Sequence, residues 1–175
     1  MKKLSGPVPL EKSHSVSQFD CGKEALDTFL HRFALPNQAN DSARTFIALE
    51  GALEARVVGY YSLAASAIVF EEAPERMKKG LARHPIPTLL MARFAVDRAY
   101  QGQGIGSGLF KDAIKRCLNV SREAAVKALV VHAKDEDAKA PYEHFEMQPF
   151  PNNPFHLFLL MKDIQRTLGL RYRLG

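Results

Sequence analysis

Seven residues, Tyr100-Gln101-Gly102-Gln103-Gly104-Ile105-Gly106, limit the folds open to this chain more than any other stretch. They stand between an apolar run with strand character, 88–96 (TLLMARFAV), and a segment in which Ile105, Leu109, Ala113, Ile114 and Cys117 recur at helical spacing. A strand that passes through a glycine-rich loop into an amphipathic helix belongs to a layered protein using both element types. Glycines at such a junction serve either a tight turn or the close approach of a ligand, because no Cβ stands in the way. The helix start adds unpaired N–H groups and the positive end of its dipole, which suit phosphate. No Gly-Lys-Ser/Thr follows, so this is not a P-loop. The spacing Gly102-x-Gly104-x-Gly106 also lacks the third glycine and the later acidic residue of a dinucleotide fingerprint.

The rest of the chain agrees with a layered α/β or α+β domain. A helix is expected over 22–35, where Leu26, Phe29, Leu30 and Phe33 share a face, with Asp20 as its cap and Pro36 as its end. Strands are expected over 44–49 and 56–66, joined at Glu50-Gly51-Ala52-Leu53, and a short charged helix over 73–82. After the glycine loop and its helix come a strand over 128–133, an acidic helix over 135–145, a strand over 155–161 and a terminal helix over 163–168. With 175 residues, no repeat and no low-complexity linker, the expectation is one domain, 1–175. Cys21 and Cys117 cannot form a disulfide framework, which points to a reducing cytoplasm. No apolar run approaches membrane-spanning length, and Met1-Lys2-Lys3-Leu4-Ser5-Gly6-Pro7 has no apolar signal core. Twenty-four Lys+Arg against 19 Asp+Glu give a net charge of +5, which favours an anionic partner without naming one.

The loop resembles the Q/R-x-x-G-x-G/A signature of the GCN5-related N-acetyltransferases (GNAT), matched here by Gln101-x-x-Gly104-x-Gly106 after a strand ending Phe94-Ala95-Val96. A narrower likeness, to the GNAT-type toxins of bacterial toxin–antitoxin pairs, rests on several further pieces. These are Phe19-Asp20-Cys21-Gly22 leading into Leu26-Asp27-Thr28-Phe29-Leu30, Asn37-Gln38 before Arg44-Thr45-Phe46, Leu90 and Arg93 ahead of Phe94, and the ending Leu157-Phe158-Leu159-Leu160-Met161-Lys162. Together they span about residues 16–165.

The resemblance implies a mixed central sheet flanked by helices, with a splayed strand pair holding acetyl-CoA. It assigns diphosphate to the amides of Gln101, Gly102, Gln103, Gly104, Ile105, Gly106 and Ser107. It assigns the thioester carbonyl to the strand end Phe94, Ala95 and Val96, with His132 as a further cofactor contact or a packing residue. Tyr142 stands where the family places its proton donor, and a phenol of pKa about 10 can protonate a thiolate. Packing in the core is its alternative role. The implied activity is an acetyl-CoA-dependent toxin that acetylates the α-amine of an aminoacyl-tRNA. The implied partners are a ribbon-helix-helix antitoxin and a second copy of the chain. The alternative is an acetyltransferase acting on a small-molecule amine or a protein N-terminus.

Two features of the residues themselves bear on that choice. The run 88–96 holds no acidic residue, whereas a lysine amine near pKa 10.4 needs a base and an α-amine at about 7.7–8.0 is already partly neutral. Asp97, a distant Glu or a water chain remains open as a base. Arg76, Lys78, Lys79, Arg83 and Arg93 lie in a segment with no acidic residue, and Lys162, Arg166, Arg171 and Arg173 follow near the end. Such clusters bind phosphate backbones, or they are solvated surface. Lys111, Lys115 and Arg116 either serve the CoA 3′-phosphate or face water. The six histidines show no metal-ligand spacing, so no metal is expected. Two departures from the family stand near the donor. Pro141 precedes Tyr142, tolerable in a first turn if Asp137 is the cap, and Phe145-Glu146-Met147 replaces an expected Phe-Gly-Phe.

Overall fold

The structure, a computed structural model, describes residues 3–53 and 55–167. Among the described residues the strands β1 (Leu4–Pro9), β2 (Arg44–Glu50), β3 (Arg56–Ile68), β4 (Ile86–Val96), β5 (Ala128–His132), β6 (Gln148–Phe150) and β7 (Asn153–Leu160) are bonded in the order β1-β2-β3-β4-β5-β7-β6, and the chain forms two compact units, 1–64 with 91–113, and 65–90 with 114–175. Sheet and helices mix as expected for an α/β chain.

In the first unit, β1 (Leu4–Pro9) pairs antiparallel with β2 (Arg44–Glu50), which pairs antiparallel with β3 (Arg56–Ile68). The sequence reading had no strand over 4–9, because glycine and two prolines hide the pattern. Pro7 cannot donate to a ladder, and the pairing shifts register between Ser5 and Val8, as an edge strand tolerates. The expected helix over 22–35 is α1 (Glu24–Thr28), a π turn (Phe29–Phe33) and α2 (Ala34–Ala39) in unbroken succession. It starts from Lys23, not Asp20, and Pro36 does not end it. Pro36 lies in the first turn after the π bulge, where a missing N–H costs least.

The core of this unit gathers on Tyr60. Phe19 meets its ring edge-on at 5.5 Å, Phe29 stacks at 6.1 Å, and the Tyr60 hydroxyl donates to the Leu26 carbonyl at 2.7 Å. Asn37 and Gln38 are joints of the same unit. The Gln38 amide donates to the Leu10 carbonyl at 2.7 Å and accepts from the Thr45 N–H at 3.2 Å, while the Asn37 carbonyl accepts from Ser42 N–H at 2.9 Å.

In the second unit, β5 (Ala128–His132) runs antiparallel to β7 (Asn153–Leu160), and β7 to the short β6 (Gln148–Phe150). Ala128, Val130, Phe158, Leu160 and Phe150 form its core with Met77 and Ile86. The 73–82 helix is shorter than expected, a 3-10 turn (Phe70–Glu72) and α3 (Glu75–Lys78), and α6 runs Met161–Thr167. The β4 strand (Ile86–Val96), α4 (Ile105–Glu123) and the end of β3 contribute residues to both units. The expected apolar face of α4 is buried throughout: Ile105, Leu109, Ala113, Ile114 and Cys117 are at most 7% exposed.

Candidate active site

The β4 strand delivers the chain to Asp97 and a 3-10 turn (Arg98–Tyr100) before the glycines. Gly102 and Gly104 hold φ at +76° and +83°, a left-handed backbone that favours glycine, and a Cβ on either would meet nothing within 4 Å. The main chain is therefore bare at this point. The first helical bond of α4 runs from the Gly108 N–H to the Gly104 carbonyl at 3.1 Å. The N–H groups of Ile105, Gly106 and Ser107 precede it and have no carbonyl within the helix. α4 carries no acidic residue in its first turn. A bare backbone, a row of donors and a nineteen-residue helix dipole fit a diphosphate.

Several expected cofactor residues meet here. A Cβ on Gly106 would touch Phe94 and Val96 at 3.8 Å, so the mouth of α4 faces the end of β4. Ala95, 5% exposed, turns the other way into the core with Tyr60. Gln101 and Gln103 use their side-chain amides inside the protein. Gln101 donates to the Val96 carbonyl at 3.0 Å and the Cys21 carbonyl at 3.3 Å, and Gln103 to the Ala99 carbonyl at 3.2 Å. Both side-chain amides are thus engaged within the protein. Sequence reasoning missed Gly59: a Cβ there would stand 2.8 Å from Leu109 Cδ1 and 3.2 Å from Ile105 Cγ2. A glycine interrupting an otherwise apolar strand was the available signal. Asp97 is 1% exposed and already engaged with Arg56, which removes it as a base for a substrate amine.

Tyr142 lies in α5 (Glu136–His144), half-buried, and burial pushes its phenol above the ordinary value. The cap is Asp135, whose carboxylate accepts from the Ala138 N–H at 2.9 Å, and not Asp137. Pro141 consequently lies inside the helix rather than in its first turn, and leaves one carbonyl without its helical donor. His132 stacks on His156, its register partner across β5 and β7, with ring centres 3.9 Å apart. His132 as a whole is exposed, yet desolvation of its ring, and then the neighbouring His156, push its pKa down. The Cys117 thiol is pushed up to about 12 by burial, and that of Cys21 to about 11 by burial and by Asp27, so neither is an activated thiol.

The basic residues divide. Arg76 donates to Gln148 Oε1 at 2.7 Å and pairs with Asp163 at 2.9 Å, which ties it into the second unit. Lys78 lies against the Phe70 ring at 5.4 Å and 3.5 Å from Glu75. Lys79 and Arg83 are exposed. Arg93 is exposed rather than buried in its strand, and stacks over Phe29 at 4.8 Å. Lys111, Lys115 and Lys162 are exposed, Arg116 is half-buried, and Arg166 reaches Asp163 at 3.9 Å. Arg171 and Arg173 lie outside the described residues. Among the described residues no three His, Cys, Asp or Glu side chains cluster to hold a metal ion, and no helix is long and apolar enough to cross a membrane.

Residues 15–147 match the model of the Acetyltransferase (GNAT) family. The chain is 37% identical over 169 residues to a tRNA-acetylating toxin of Mycobacterium tuberculosis (strain ATCC 25618 / H37Rv), a match covering 97% of this chain and 99% of that one. Among solved structures it resembles AtaT complexed with acetyl-methionyl-tRNAfMet, with a TM-score of 0.84, 28% identity, and 96% and 99% of the two chains covered. It also resembles a mutant of the AtaT toxin bound to the C-terminus of the antitoxin AtaR and acetyl-CoA, with a TM-score of 0.78, 27% identity, and coverage of 95% and 98%.

Proposed function

The chain belongs to the Acetyltransferase (GNAT) family, an acetyl-CoA-dependent N-acetyltransferase, and on that premise we propose that it is a toxin acetylating the α-amine of an aminoacyl-tRNA. The reading is carried by likeness along nearly the whole chain to a tRNA-acetylating toxin. It is supported by a β4 strand with no acidic side chain, which suits an acceptor amine that needs no strong base.

The N–H groups of Ile105, Gly106 and Ser107, with the bare backbone at Gly102 and Gly104, hold diphosphate. The end of β4 at Phe94–Val96 polarises the carbonyl through its main chain, and His132 lines the pantetheine arm. Acetyl-CoA, when bound, supplies an acyl group on a thioester. Tyr142 protonates the departing thiolate, and the proton lost by the attacking nitrogen returns to the phenolate through water, so a C–N and an S–H bond replace a C–S and an N–H bond and the phenol is restored. Burial raises the phenol's pKa and so keeps it in the protonated form, the form a proton donor needs. Lys79, Arg83 and Arg93 contact the phosphate backbone, whereas Arg76 and Lys78 are engaged with Asp163, Gln148, Glu75 and Phe70. The protein works in the cytoplasm as a homodimer and is neutralised by a ribbon-helix-helix antitoxin.

The decisive experiment incubates the protein with labelled acetyl-CoA and charged total tRNA. Label is expected on the α-nitrogen of an aminoacyl-tRNA and not on deacylated tRNA. Label appearing only on small amines or protein N-termini would replace this reading with the alternative acetyltransferase. Tyr142→Phe is expected to lower kcat by about 10²-fold or more while CoA still binds.

A further inference from the structure

Asp97 follows β4 directly, at the entrance of the glycine loop, and its carboxylate is enclosed by one donor from its own turn and two from distant parts of the chain. Oδ1 accepts from the Ala99 N–H at 2.9 Å, while Oδ2 accepts from the Asp20 N–H at 3.2 Å and from the Arg56 guanidinium at 2.9 Å. The Asp97 N–H donates in turn to the Val58 carbonyl at 2.9 Å. Asp97 is thus bonded to the turn that opens the loop, to β3, and to the Phe19-Asp20-Cys21-Gly22 segment.

That N-terminal segment anchors itself in the core through Phe19, and its Asp20 and Cys21 are bound to the start of the loop. The Arg98 N–H donates to the Asp20 carbonyl at 2.8 Å, and the Arg98 guanidinium pairs with the Asp20 carboxylate. The Gly22 N–H donates to Asp20 Oδ1 at 2.9 Å, and Gln101 reaches the Cys21 carbonyl. On the opposite side Arg56 lies over the Tyr100 ring at 5.4 Å, and the Tyr100 hydroxyl donates to Glu50. Both flanks of the loop converge on one buried carboxylate, and leaving its donors unsatisfied would release both.

We infer that Asp97 is a positioning residue for acetyl-CoA: by fastening segment 19–22 and Arg56 to the 98–100 turn, it fixes where the mouth at Gly102–Gly104 stands. The inference rests on the acetyl-CoA reading above. Asp97 touches neither cofactor nor substrate and acts through the main chain of the loop.

Asp97→Asn tests this. Its carboxamide oxygen can still accept from Ala99, but its NH2 then faces the Arg56 guanidinium and the Asp20 N–H, donor against donor. By calorimetry and steady-state kinetics, the Kd for CoA and the KM for acetyl-CoA are expected to rise by about tenfold, with kcat within about twofold. A lower unfolding midpoint with unchanged Kd and KM would mean that Asp97 only stabilises the fold, and overturns the inference. Should Asp97→Asn fail to fold, Arg56→Gln leaves the two N–H bonds in place. It is expected to raise the CoA Kd by about threefold, with Arg56→Lys restoring most of the loss. An unchanged Kd in Arg56→Gln overturns the inference equally. Wild-type protein that binds no CoA would overturn the cofactor reading and this inference together. Wild-type binding matched by Asp97→Asn overturns the inference alone.

Discussion

The main-chain N–H of Met147 donates to the carbonyl of Tyr142 at 3.0 Å, closing α5 behind the proposed proton donor. With the Glu146 N–H on the Glu143 carbonyl at 2.9 Å, this forms a Schellman ending, and Glu146 occupies its left-handed position at φ +66°. Glycine is the residue suited to that backbone, and the family pattern implied one. The conformation is retained here although the glycine is not. Glu146→Gly is therefore expected to raise unfolding stability by about 1 kcal/mol by removing the Cβ penalty. Denaturant titration at constant m-value checks it, and kcat should be unchanged because Tyr142 keeps its place. A lower midpoint would mean that α5 ends differently.

Gly104→Ala and Gly104→Asp separate conformation from charge at the loop. Because a Cβ at Gly104 would meet nothing within 4 Å, neither change acts by collision. Alanine carries only the left-handed backbone penalty, about 1–2 kcal/mol. Aspartate adds a carboxylate where diphosphate belongs and is expected to abolish CoA binding in calorimetry. Equal affinities for the two variants would place the anion elsewhere.

The glycine loop was legible because strand, glycines and helix follow one another in sequence, and each obeys a local rule. The face of α4 from Ile105 to Cys117 was legible for the same reason. The segments Phe19–Gly22 and Asn37–Gln38 could be noticed but not explained, since their partners, Asp97, Gln101, Leu10 and Thr45, are distant along the chain. Local rules also misplaced the ends of elements. Pro36 read as a stop but is carried within a helix that has already widened into a π turn. Asp137 as cap would keep Pro141 near the first turn, whereas Asp135 holds the capping bond. Strand β1 was invisible because its pairing with β2, not its own residues, makes it a strand.

Stability should fall on mild acidification through His132. Desolvation of its stacked ring and then His156 lower its pKa in the fold, so below the ordinary value of about 6.5 the unfolded chain binds more protons than the folded one. The contribution of the neutral imidazole is fully present above about pH 6.5 and is lost as the pH falls toward the depressed folded value. Thermal midpoints measured from about pH 7.5 down to about 5.5 are expected to decline, and His132→Gln to flatten that decline. A wild-type slope unchanged by the substitution would remove His132 as its source.

The two kinds of basic residue predict opposite phenotypes. Arg76→Glu sets a carboxylate against Asp163 and gives up the bond to Gln148, so a loss of about 1 kcal/mol in stability is expected. Lys79→Glu and Arg83→Glu alter exposed side chains, and stability should stay within about 0.5 kcal/mol. If these two residues neutralise phosphates, the double variant should bind aminoacyl-tRNA more weakly, with a salt slope shallower by about two. Binding measured across salt concentrations, beside a denaturation curve for each variant, distinguishes the roles. An unchanged slope in the double variant would leave Lys79 and Arg83 as solvated surface and move the tRNA contact to Arg93 and the exposed lysines of α4.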